Sequence, residues 1–172
     1  MTELPNLLEH LRLGLAASRQ GTYRRRLPAP RARQDLEAAR TGLRKLVVEK
    51  ATPEAWRALA LAEEAFLDYS AAIQALETAI AASAKSHRKD VKRLHQLRET
   101  AARWQSLALN PQQLQTLGDY LEEHLAVLPC DHTLHHTRAW LLSQPALSLP
   151  DVLRGLEQAG GFCDCEVVLN VV

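Results

Sequence analysis

Cysteine and histidine gather toward one end of this chain. All three cysteines fall in two short segments, Cys130-Asp131-His132-Thr133 and Gly160-Gly161-Phe162-Cys163-Asp164-Cys165-Glu166, and His132, His135 and His136 lie in or beside the first. Side chains two apart on an extended segment share a face, so Cys163 and Cys165 point one way and Asp164 the other. The same spacing relates Cys130 to His132. Two such claws, brought together by the helices between them, form a Cys3His set, the tetrahedral sulfur and nitrogen environment that zinc takes in structural sites, with Zn–S about 2.3 Å. The single residue inside each claw departs from the roughly two to four found in zinc fingers. His136, four residues after His132, shares a helical face with it and is the reserve ligand. His135 points elsewhere and reads as a surface residue.

The same residues admit other chemistry. The three thiols could be buried or merely reactive side chains, or form a disulfide. With three protein ligands and an open coordination position, Glu166 or Asp131 could serve as general base for a metal-dependent enzyme. Cys163 and Cys165 could be a redox pair, although the familiar redox motif has two intervening residues where this one has a single Asp164. No P-loop, dinucleotide fingerprint or Ser-His-Asp signature is visible.

These residues must be positioned by helices. Of 172 residues, 47 % are apolar and only 5 % aromatic. Leu and Ala dominate, and Val and Ile are scarce before the C-terminal tail, which favours helix over sheet. The net charge of +1 conceals a division: residues 1–109 carry 19 Lys and Arg against 12 Asp and Glu, residues 110–172 only 2 against 8. Met1 to Leu15 is interrupted by Glu3, Glu9 and Arg12, and no apolar run reaches the ~18 residues of a membrane span, so a cytoplasmic protein with reduced thiols is expected.

Leu4, Leu8, Leu11 and Leu15 define an amphipathic N-terminal helix within residues 1–20. Residues 21–33 lose the pattern; Pro28, Pro30 and five arginines mark a linker. With Tyr23, the Arg24 to Arg33 arm could contact nucleic acid. Charge runs of this kind are ordinarily solvated, so nucleic acid is not the expected partner. Helical periodicity resumes over 34–50 through Leu36, Ala39, Leu43, Leu46 and Val47.

From Pro53 to Ala82, Trp56, Leu59, Ala60, Tyr69, Ala72, Ile73, Leu76, Ala79 and Ile80 fall into two helical stripes with a turn near Leu67 and Asp68. This stretch resembles a tetratricopeptide repeat, with Trp56, Leu59 and Ala60 at first-helix positions and Tyr69, Ala72, Leu76 and Ala79 at second-helix ones. Ala60 stands where glycine is usual, and no proline closes the unit. The helices at 34–50 and 90–109 would be its neighbours or caps, making 34–109 a tetratricopeptide-like region.

Residues 110–172 read as a small Cys/His domain. Leu114, Leu117, Leu121, Leu125 and Leu128 trace one helix, and Thr133 to Ser143 a second. Ser148 and Asp151 suggest a capping box opening a third, which Gly160-Gly161 ends. The alternation of Cys163, Cys165, Val167, Leu169 and Val171 with Asp164, Glu166, Val168 and Asn170 predicts a half-buried β-strand, which could pair with the same strand of a second copy. Cys130-Asp131-His132-Thr133-Leu134 with Thr137, followed by Gly160 to Val167 and Asn170, resembles a small bacterial domain family of unknown function that commonly forms a C-terminal module; the likeness spans roughly residues 112–172. It implies a domain boundary and characteristic residues, but no activity.

The expected protein is therefore mainly α: tetratricopeptide-like hairpins, then a small α-rich domain ending in one short β-strand. Its expected role is a non-catalytic module binding a protein or peptide, with a structural zinc at Cys130, His132, Cys163 and Cys165.

Overall fold

The computed structural model describes residues 4–18, 27–84 and 87–172, and helix dominates throughout. The chain forms two compact units. The first holds α1 (Leu4–Ser18), α2 (Pro30–Glu49), α3 (Pro53–Ala65), α4 (Tyr69–Ala81) and α5 (Arg88–Ser106) as far as Ala101; the second holds Ala102–Val172 together with Leu27. No described helix is long and apolar enough to cross a membrane.

In the first unit, α1 and α2 pack through small residues. A Cβ on Gly14 would strike the Leu36 side chain, and one on Gly42 would strike Leu7, so each helix offers a hollow to a leucine of the other. This sets the buried stripe of α1 as Leu7, Leu11, Gly14 and Ser18. Leu8 and Leu15, expected inside, are substantially exposed; reading only apolar residues misphased the helix, because a glycine contact buries a face without apolar mass. The expected linker also ends early: Pro30 to Arg33 form the first turn of α2, with Pro30 at a position where a missing N–H costs nothing. Arg24, Arg25 and Arg26 lie outside the described residues.

Residues 53–81 form the expected helical hairpin. Thr52 caps α3 by accepting the Ala55 N–H, and Asp68 caps α4 by accepting that of Ala71. Leu67 makes the turn at φ +61°. Ala60 and Ala72 are buried, as close helix approach requires. Glu63, also buried, receives the Arg40 Nε–H at 2.7 Å and the Arg44 Nε–H at 2.6 Å, which clamps α3 to α2.

The second unit contains α6 (Pro111–Val127), α7 (His135–Leu142), α8 (Leu149–Gln158) and a last helical stretch, α9 (Asp164–Glu166), running into a π-helix over Val167–Val171. Asn110 and Gln113 form a reciprocal capping box at α6. The box expected at α8 does not form: Ser148 makes no side-chain cap bond, and Asp151 instead lies 3.5 Å from Arg154. A Cβ on Gly155 would meet the main chain of Ser106 and Leu107, and one on Gly118 the Val172 side chain, so glycines bring α8 and α6 close to their neighbours.

The expected C-terminal strand is absent, and no strand occurs among the described residues. Burial at Cys163, Asp164, Val167, Val171 and Val172 follows helical spacing, while Cys165 and Leu169, assigned to the inner face of a strand, are exposed. A strand there would need a ladder partner for its backbone. The helix satisfies those groups internally instead, with Val167 N–H bonded to Cys163 O and Val172 N–H bonded to Val167 O, the latter a five-residue step. Pairing of that strand in a homodimer loses its basis.

Candidate metal centre

The two cysteine segments meet because the turn after α8 reverses the chain. Gly160, at φ +89°, adopts the left-handed conformation that ends many helices. Its N–H bonds to Glu157 O and that of Gly161 to Leu156 O, the paired bonds of a Schellman motif. Asn170 Nδ2 then donates to Gly160 O at 2.7 Å, tying the turn to the π-helix.

Asp164 fixes the returning segment. Leu134, at the N-cap of α7, offers no side-chain cap. The Asp164 carboxylate takes that place from far along the chain, accepting His136 N–H at 2.8 Å, Thr137 N–H at 2.9 Å and the Thr137 hydroxyl at 2.6 Å. Negative charge at a helix N-terminus, bonded to otherwise orphaned N–H groups, is a favourable arrangement. The Asp164 N–H adds a bond to Thr133 O at 2.9 Å. Sequence reasoning placed Asp164 on an exposed face and missed this role; the signal available was the helical spacing of Cys163, Val167 and Val171.

Pinned this way, Cys163 and Cys165 face Cys130, and the three sulfurs lie within 4.8 Å of one another. Cys163 and Cys165 do not share an extended segment: Cys163 is extended at φ −142°, and Cys165 lies in α9. Their sulfurs are 3.2 Å apart, well beyond the ~2.05 Å of a disulfide, and all three thiols are free. Cys163 is buried, Cys130 half-buried and Cys165 exposed, so the cluster opens to solvent on the Cys165 side.

The three thiols differ electrostatically. Burial pushes Cys130 up, but the N–H groups of Cys165 and His132, with the neighbouring thiols, outweigh it and hold Cys130 below the usual cysteine range. Cys165 is pushed up to about 12, first by its hydrogen bond to Cys163, then by that to Cys130, with burial and the charge of both neighbours adding.

His132 is exposed, at φ +63°, and is not among the atoms that converge. The reserve ligand His136 is half-buried and lies against His124 and His135, with ring centroids 5.2 Å and 5.1 Å away. His135 is exposed. Both carboxylates considered as bases serve the main chain: Asp131 accepts the Thr133 hydroxyl at 2.7 Å and its N–H at 2.9 Å, which hold its carboxyl below the ordinary range, and Glu166 accepts the Phe162 N–H at 2.9 Å.

Residues 117–170, which include all three cysteines, match the family described as protein of unknown function (DUF2695). The chain is also similar to uncharacterized proteins Rv2271 of Mycobacterium tuberculosis and Mb2294 of Mycobacterium bovis, each 37 % identical over 87 residues, covering 51 % of this chain and 87 % of the relative. No solved structure matches it.

Proposed function

Since the chain belongs to the DUF2695 family of unknown function, its role must be read from its chemistry, and we propose that Cys130, Cys163 and Cys165 hold one structural zinc ion. The observation that carries this reading is the convergence of three sulfurs within 4.8 Å from segments far apart in sequence. A tetrahedral shell with Zn–S near 2.3 Å spaces its sulfurs about 3.8 Å apart, within that limit. His132, two residues from Cys130, is the fourth donor of this proposal. With four protein ligands the ion would cross-link the loop before α7 to the start of α9 and leave no position for catalysis.

The helical remainder, on this reading, is a binding module for a protein or peptide. Support comes from the tetratricopeptide likeness of residues 53–82 and from the buried Ala60 and Ala72 at the helix contact. The metal reading is tested by elemental analysis of protein purified without chelator and then reconstituted with zinc. One zinc per chain is expected, reduced in Cys165→Ser. A Cys130→Ser, Cys163→Ser, Cys165→Ser triple variant retaining the same content would overturn it.

A further inference from the structure

We infer that the sulfur cluster also takes a soft monovalent ion, copper(I), in a shell of three thiolates without a donor from His132; this rests on the metal reading above. Zinc in a structural site asks for four donors, whereas soft thiolate sets select copper(I), which three thiolates satisfy. Three sulfurs converge, Cys163 and Cys165 at 3.2 Å and all within 4.8 Å.

The neighbouring oxygen and nitrogen donors are otherwise engaged. Asp164 is bonded to α7, Asp131 to Thr133 and Glu166 to Phe162, while His136 lies among histidine rings. The His132 imidazole is exposed and outside the trio. The open side at Cys165 gives an ion, or a small carrier of it, a route in.

The test is anaerobic titration of reduced, metal-stripped full-length protein with copper(I) against the competing chelator bicinchoninate, followed by copper-edge X-ray absorption. One copper per chain in a sulfur-only shell of three is expected, unchanged in His132→Ala. The same substitution should weaken zinc binding, so it separates the two ions. Cys130→Ser and Cys165→Ser should each lower copper(I) affinity by more than about 100-fold, beyond the usual effect of losing an outer-shell partner. Far-UV circular dichroism checks that the exposed Cys165→Ser substitution preserves the fold. A nitrogen neighbour that His132→Ala removes, more than one copper per chain, or binding that survives Cys165→Ser would overturn the copper(I) shell while leaving the zinc reading intact. Equal binding of zinc and copper(I) by wild type and the triple Cys→Ser variant would overturn both.

Discussion

Among the described residues each unit buries one carboxylate, and the two are satisfied by different partners. Glu63 and Asp164 are each 1 % exposed. Glu63 is held by guanidinium groups of Arg40 and Arg44, whereas Asp164 is held by two N–H groups and a hydroxyl at the start of α7. The scarcity of Lys and Arg in residues 110–172, where Asp164 lies, fits the contrast. Residues 110–172 contain only two basic side chains of the Lys and Arg type, Arg138 and Arg154, and Arg154 lies beside Asp151. A region poor in cations can still bury an anion if a helix N-terminus supplies positive dipole and donors together. The arginine clamp needs only two side chains to reach across from α2, while the clamp on Asp164 exists only when α7 is folded and docked.

Metal should widen the contrast most. Loading with zinc is expected to stabilise residues 102–172 by about 4 kcal/mol when free zinc is roughly a thousandfold above its Kd, leaving the first unit unchanged. Hydrogen exchange resolved by region measures this, and equal protection of both units would count against a site confined to the second.

Next in size, Asp164→Ala should cost about 3 kcal/mol, because two N–H groups and a hydroxyl lose their acceptor inside the protein. Asp164→Asn should cost about half as much, since an amide oxygen still accepts but the charge is gone. Urea unfolding followed through Trp104 and Trp140 reports on this unit.

Glu63→Ala should cost less, about 2 kcal/mol, below the ~3–5 kcal/mol of breaking a fully buried pair. The reason is that Arg40 and Arg44, with side chains 23 % and 52 % exposed, regain water. Added salt should shrink the Glu63 effect and leave the Asp164 effect nearly constant; the reverse ranking or the reverse salt response would undo the comparison. Smallest of all, His135→Ala should stay within about 0.5 kcal/mol of wild type in the same assay, as for exposed side chains generally.

Helix was legible wherever periodicity ran long. The stripe of α2, the hairpin with its turn at Leu67, and Leu114, Leu117 and Leu121 of α6 all follow apolar spacing. The convergence of the cysteines was legible too, since their clustering in two segments has few uses. What escaped was decided by partners distant in sequence. The alternation after Cys163 suits a strand as well as a helix until Thr133, His136 and Thr137 supply bonds to Asp164. Ser148 carries the sequence mark of a cap, yet the bond is not made. Glu63, Arg40 and Arg44 stand 19 and 23 positions apart, and no local pattern pairs them.

The exchanged leucines of α1 and α2 have a consequence for how those helices find each other. Leu7 seats at Gly42 and Leu36 at Gly14, so two points along one line are fixed at once, and two points determine a line. A slide of one turn, about 5.4 Å, would set both leucines against filled positions instead of hollows, and a swivel about either point would unseat the other. The pair thus works as a vernier: coarse apolar attraction brings the helices side by side, and two missing methyl groups select one register from the many that attraction alone would accept.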